Sequence, residues 1–356
     1  MTFQLLSPAM IYSFALLVLL CFRTYVMQAK VWQKAMKIDD FSLSLFEMIK
    51  VLFLVPVHLV PLTHWPEIRK KVRYLNRWKT IQEEFRNVTG KKLVTDLRCI
   101  SILAVIFAIV ICVFFTSSNF LIKSYLSIWD LLSIMYCSMI TTLLPITWSL
   151  SCRSFILAAR LIEQEMSLHL SWFGPQRLRK IQQFKMLWFM LNKQARDLGE
   201  SMGLTFGGLI LVFFTLQVLC CYAFLFQLII EIDDVHEILT VICSFVFGAI
   251  VYFQCTKSEE VSREIGMNFK RSIEMIKALS PPTNEDESIE IEGFLQMIGR
   301  HSSVINYCGF SDVNRRLYIS FTSQMVTYVI ILIQFQISEN PRTKKSDSYV
   351  NSTATN

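Results

Sequence analysis

Catalytic chemistry needs reactive side chains at fixed spacings, and this sequence offers few. The five histidines, His58, His64, His169, His236 and His301, form no HxxxH or HExxH box, which argues against desaturase-type and zinc-protease chemistry. No GxSxG elbow and no phosphate-cradling glycine loop occurs, so nucleophilic hydrolysis and nucleotide chemistry have no visible seat. The ten cysteines include no CxxC pair and stand in apolar runs or at their edges. That placement suits small buried hydrophobes and implies neither a metal site nor a disulfide framework; Cys152 and Cys255 are also placed for S-acylation. No enzyme and no cofactor is implied. Two polar groups inside apolar runs remain. Glu47 and Lys50 stand three residues apart and form either a structural pair or part of a binding or pore wall. In the last apolar run Thr327, Ile331 and Phe335 are four residues apart and share one helical face, with Tyr328 and Gln334 beside it.

The elements that position these groups follow from hydropathy. Of 356 residues 53% are hydrophobic and only 18% charged, against about 25% charged in soluble domains. The deficit is concentrated in seven long apolar runs, 6–24, 41–62, 99–119, 126–150, 203–230, 238–255 and 317–337. Each is long enough, or nearly so, to cross a bilayer as a helix. With 11 Gly and 9 Pro and no sustained two-residue alternation, a β-barrel is disfavoured. The first run lacks a basic leader and a small-x-small cleavage site, so it is expected to be an anchor, not a signal peptide.

Orientation follows from the basic residues. One side of the seven runs carries 26 of the 35 Lys and Arg, in loops 63–98, 151–202 and 256–316, and the other side carries 8. The richer side is expected in the cytoplasm, which puts the N-terminus inside and the C-terminus outside. This inverted order, with no DRY after the third run and no NPxxY in the seventh, disfavours a G-protein-coupled receptor fold. It also predicts that the sequon at Asn351 lies outside and that at Asn87 inside.

The cytoplasmic loops carry structure of their own. Phe155, Ala158, Ala159 and Ile162, then Ile181, Phe184, Leu187, Trp188 and Leu191, recur at helical spacing and predict helices over 152–168 and 176–198 that pack beneath the membrane. Similar patterns cover 257–279 and 288–300, around an acidic, Pro-containing 280–287 expected to be disordered. Loop 63–98 mixes basic residues with Trp65, Tyr74, Trp78 and Phe85; proximity to anionic lipid explains it more simply than nucleic-acid binding. The layout is thus four spans in 1–150, a helical loop at 151–202, two spans in 203–255, a helical loop at 256–316, a last span at 317–337 and an outer tail at 338–356.

Thr327-Tyr328, five apolar residues and Gln334-Phe335 resemble the TYhhhhhQF signature of insect gustatory receptors, where h is hydrophobic. The approach, Gly309-Phe310-Ser311-Asp312 followed by Asn314 and Leu317, is similar to the family pattern as well. The close motif covers about a tenth of the chain, while seven spans in inverted order and helical cytoplasmic loops extend the likeness to all of it. A first span starting within ten residues of Met1 departs from the longer leading segment usual in the family.

The resemblance implies a tastant-gated, non-selective cation channel subunit in the plasma membrane. It implies a homotetramer, or a heteromer with other gustatory receptor subunits, in which the last helix lines the pore and the cytoplasmic extensions form an anchor domain. Ile331 and Phe335 would then form a hydrophobic constriction near the outer end. For the ligand, Tyr125, Trp129, Ser133 and Tyr136 lie at helical spacing beside Asp130, either as pocket or as interfacial aromatic belt. Glu47, Asn119 and Gln217 come from the outer parts of other spans. Sugar, bitter and other tastants all remain open. A metabotropic receptor or an odorant-receptor-type channel subunit is the alternative.

Overall fold

The computed structural model describes residues 8–38, 41–122, 127–170, 176–230 and 235–339. They are helical almost throughout: α1 (Pro8–Ala35), α2 (Phe41–Phe53), α3 (Val55–Thr89), α4 (Arg98–Ile122), α5 (Ile128–Leu170), α6 (Arg177–Ile230), α7 (Val235–Arg263), a π-helical turn Glu264–Asn268, α8 (Phe269–Leu279), α9 (Glu285–Arg300) and α10 (Arg315–Glu339). Five of these stretches are long and apolar enough to cross a membrane among the described residues, and Arg98–Phe114 is a shorter apolar one. The surface is inverted relative to a water-soluble protein. On α4 the side chains of Ile102, Leu103, Phe107 and Val110 are each at least 60% exposed, a contiguous apolar wall that only lipid or another apolar surface would cover.

The second expected span is not one helix. It breaks at Leu54, two residues before Pro56, whose ring excludes the carbonyl one turn back and whose nitrogen donates no hydrogen bond. The carbonyls released by the break find donors elsewhere: Gln28 Nε2 donates to Val51 O at 3.0 Å and Cys137 Sγ to Phe53 O at 2.9 Å. Beyond the break α3 continues to Thr89, so most of loop 63–98 is helix. Gly90, at φ 73°, closes it by donating to Arg86 O, a conformation that glycine adopts without a Cβ penalty.

Below the apolar stretches the lower parts of α3, α5, α6 and α7 join α8 and α9 in one continuous core. All nine periodic positions from Phe155 to Leu191 are at most 1% exposed there. Tyr74 and Phe85 are buried, and Trp78 meets Phe155 edge-on at 5.2 Å. Trp65 lies against Phe14 at 5.8 Å, so the aromatics of 63–98 are packing groups and not a stacking platform for bases. Cys152 and Cys255 are fully buried, which closes both to acylation.

Residues 280–287, expected to be disordered, are folded. Arg177, buried at the start of α6, donates to the carbonyls of Ser280 and Pro281 at 2.5 and 3.2 Å and stands 3.6 Å from Glu287. Glu287 in turn accepts from the Thr283 amide and hydroxyl at 3.0 Å. A buried cation draws backbone dipoles and a carboxylate around itself because an unpaired charge there is costly. At the π turn a similar repair occurs: the extra residue frees the Ile265 carbonyl, and the Trp188 indole donates to it at 2.8 Å.

Candidate functional site

The last helix is held at its foot by a built turn. Asn306 and Asp312 pair as a short antiparallel bridge, the Tyr307 amide donates to Ser311 O at 2.9 Å, and Gly309 takes φ 85° at the tip. This turn lies on α6 where Gly199 and Gly203 leave room; a Cβ at Gly203 would stand 2.8 Å from the Cys308 nitrogen. The Tyr307 ring is buried against Trp148 at 5.3 Å, and burial pushes its hydroxyl well above the usual range. Asn314 then caps α10, its Oδ1 accepting from the Leu317 amide at 3.1 Å, while Glu259 of α7 accepts from the Arg315 amide at 2.9 Å. The residues leading into the motif therefore set where α10 begins and how it is oriented.

Along α10 one stripe is turned inward. Val329 is 5% exposed and packs with Leu45, Val218 and Tyr222, and Met325, Leu332 and Ile333 lie against that cluster. Phe321 meets Phe214 at 5.2 Å, and Tyr328 approaches the same ring edge-on at 6.4 Å. At about 100° per residue, Thr327 and Ile331 each lie some 200° from Val329. Ser320, Ser323, Gln324, Thr327, Ile331, Gln334 and Phe335 share that outward side, and all seven are exposed. Five of those seven are polar, whereas on the inward side between Leu317 and Ile333 the one aliphatic hydroxyl, Thr322, donates to Tyr318 O at 3.0 Å within its own helix. The serines and Gln324 were not singled out from the sequence, although their spacing of three and four residues is legible there.

The expected ligand residues divide. Tyr125 and the side chain of Asn119 lie outside the described residues. Trp129 is 45% exposed. Asp130 stands 3.9 Å from Arg23 of α1 and accepts from the Ser127 amide at 3.3 Å, closing the first turn of α5. Ser133 is buried with its hydroxyl donating to Trp129 O at 3.1 Å, which commits it to its own helix. Tyr136 packs with Cys21, Phe53 and Cys137 at the α2–α3 break. Glu47 is held by Lys34 at 2.7 Å and Lys50 at 3.1 Å, so it acts first as a structural pair between α1 and α2. Gln217 lies over Gly248 of α7, away from this group.

Asp130 thus meets α1 and Tyr136 the α2–α3 break, and Ser133, Gln217 and Glu47 do not join them. What sequence reasoning missed is the polar seam at that junction. His58 Nε2 lies 3.0 Å from Gln28 Oε1, whose amide also serves the Val51 carbonyl, and Thr24 is fully buried alongside on α1. The available signal was Pro56 two residues before a histidine inside an apolar run. Lower down, Glu67 was passed over as one charge in a basic stretch. Its carboxylate accepts from the Leu204 amide at 2.7 Å, the Thr205 amide at 3.4 Å and the Thr205 hydroxyl at 2.6 Å. Two of these three donors are backbone amides in the middle of α6, beside the turn that leads to α10.

Comparison with known proteins agrees with this architecture. The 7tm chemosensory receptor family pattern matches residues 2–339. Gustatory and odorant receptor 24 of Anopheles gambiae is 28% identical over 342 residues, covering 94% of this chain and 72% of the relative. Gustatory and odorant receptor 22 of the same organism and 21a of Drosophila melanogaster are each 22% identical, over 84% and 85% of the chain. The chain spans 63% and 66% of the length of those two relatives. Among solved structures, the insect olfactory receptor OR5 from Machilis hrabei superimposes with TM-score 0.65 at 10% identity, over 91% of this chain and 89% of that one. The same receptor in complex with eugenol gives 0.61. A pattern match over nearly the whole described length makes this chain a member of the 7tm chemosensory receptor family, a multi-pass membrane chemoreceptor and not an enzyme.

Proposed function

We propose that the chain is a subunit of a ligand-gated cation channel in the plasma membrane. Its N-terminus faces the cytoplasm and its C-terminus the outside, and α10 lines a pore between four subunits, identical or mixed. One observation carries this: the outward side of α10 holds Ser320, Ser323, Gln324, Thr327 and Gln334 exposed, while on the opposite side Met325, Val329, Leu332 and Ile333 pack against α2 and α6. The Thr327 hydroxyl donates to Ser323 O at 3.1 Å within the helix, but the side-chain amides of Gln324 and Gln334 facing lipid would go unsolvated. Around a shared axis they would line water, with Ile331 and Phe335 as an apolar ring near the outer end that opens by wetting. Its activator is a small organic molecule, a contact tastant or an odorant, and the seam between α1, the α2–α3 break and the top of α5 supports an entry from the outer side. A relative's fold bound to eugenol favours an apolar, partly hydroxylated compound over a sugar.

The deciding experiment is expression in oocytes under voltage clamp with a panel of tastants and odorants. Agonist currents should persist when G-protein signalling is blocked. Responses that vanish with that block would replace the channel by a metabotropic receptor.

A further inference from the structure

We infer that the cleft where α3 ends and α4 begins binds an anionic phospholipid whose headgroup bears phosphomonoesters, of the phosphoinositide type. The cleft is about 670 Å³, and its charged lining comprises Lys79, Glu83 and Arg86 of α3 with Lys92, Asp96 and Arg98 of the connection into α4. Lys79 and Glu83 stand 3.7 Å apart on one helix face. Among the described residues no carboxylate lies within ion-pairing distance of Arg86, Lys92 or Arg98, and all three are exposed. Against the one remaining acid, Asp96, this leaves two net positive charges converging on a single concavity, more than one phosphodiester would neutralise.

The cleft's position decides between a lipid and a soluble phosphate. Two apolar residues share the lining with the charges, Leu93, which is buried, and Val94, which is 64% exposed. Directly beyond Arg98 rises the exposed wall of Ile102, Leu103, Ile106, Phe107 and Val110. A phospholipid with its headgroup among the cations would lay its acyl chains along that wall; a free inositol phosphate would leave it uncovered. α4 begins at Arg98, so its N-terminus lies at the same end, and the helix dipole favours an anion there. The inference rests on the proposed orientation only in placing this lipid in the inner leaflet; the binding chemistry is independent of it.

The test uses the full-length protein in neutral detergent, titrated with short-chain phosphatidylinositol bisphosphate, phosphatidylserine, phosphatidylcholine and free inositol trisphosphate, with binding read by thermophoresis. The bisphosphate lipid should bind saturably and more tightly than the other three. The triple variant Arg86→Gln, Lys92→Gln, Arg98→Gln should weaken it on the order of 100-fold, since each basic group at such a surface is worth about fivefold. A matched triple variant at exposed Arg179, Lys193 and Arg271 should change it less than about twofold. Equal losses in the two triple variants would reduce the effect to net charge and overturn the site. Free inositol trisphosphate binding as tightly as the lipid would overturn the lipid assignment, and no saturable binding would overturn both. If the triple variant is not monodisperse, Arg98→Gln alone is expected to cost about fivefold and decides the matter. Because binding is measured in detergent, a wrong orientation would surface only in the separate tag and glycan experiments.

Discussion

Replacing Gly199 with Ala isolates the contact on which the foot of the last helix rests. A Cβ at Gly199 would overlap the Asn306 carbonyl oxygen and stand 3.0 Å from its carbon, whereas one at Gly207, two turns further along α6, meets nothing within 4 Å. Both changes carry the same intrinsic helix gain of about 0.5–1 kcal/mol. Only Gly199→Ala must also push back the turn. That turn cannot easily retreat, because Ile305 and Val313 are fully buried and joined by a 2.9 Å backbone bond, and Tyr307 is wedged against Trp148. Overpacking against rigid backbone costs about 1–3 kcal/mol, and overlap with an oxygen places this case at about 3. The net expectation is a loss of about 2 kcal/mol for Gly199→Ala and a gain of under about 1 for Gly207→Ala. At roughly 2 °C per kcal/mol for a chain of this size, the two variants should melt about 5 °C apart. Heating the detergent-solubilised protein and following its size-exclusion peak by tryptophan fluorescence measures this. If Gly199→Ala melts with Gly207→Ala, the turn does not sit on α6 as described and its role in orienting α10 falls with it.

Three further outcomes are expected. Phe335→Ala should raise basal current or alter ion selectivity with normal surface expression, whereas Val329→Ala, on the packed side, should lower abundance by removing about 1–3 kcal/mol of stability without opening the pore; identical behaviour would mean the outward stripe is misassigned. An epitope after Asn356 should be reached by antibody on intact cells while Asn87 carries no glycan, and a glycan on Asn87 would reverse the topology. Burial alone would raise the Glu264 carboxyl, but Arg160 at 2.6 Å and Asn268 outweigh it and hold it below the usual 4.5. Its stabilising contribution is therefore present above that value and lost as pH falls through the lower folded-state value, so acid titration of wild type and Glu264→Gln in detergent should converge there and diverge near neutrality.

The sequence made legible what depends on local repetition. Phe155 to Leu191 declared their buried face by spacing alone, and the apolar lengths located the helices. The break at Leu54 was not legible. Pro61, Pro66 and Pro145 also lie inside helices yet leave them continuous, and only at Leu54 do Gln28 and Cys137 supply donors to carbonyls freed from outside the helix. Residues 280–287 misled for the same reason: acidity and Pro suggest a solvated chain, but Arg177, 103 positions from Ser280, supplies the missing counter-charge. In the candidate site the stripe on α10 could be read, because it is one helix. The seam of Gln28 and His58 could not, because it joins α1 to the α2–α3 break.

The length of α6 has a mechanical consequence. Its 54 continuous residues make a rod about 80 Å long at 1.5 Å per residue. It is gripped near its middle by Glu67 and by the neighbouring Asn306–Asp312 turn. A rod held at its midpoint behaves as a seesaw: a tilt of about 2° carries each end through roughly 1.4 Å, in opposite directions. Side chains toward one end, such as Tyr222 against Val329 of α10, and the Arg177 clasp at the other are thereby geared together, so that a displacement too small to break a contact at the top is delivered to the base with its sign reversed.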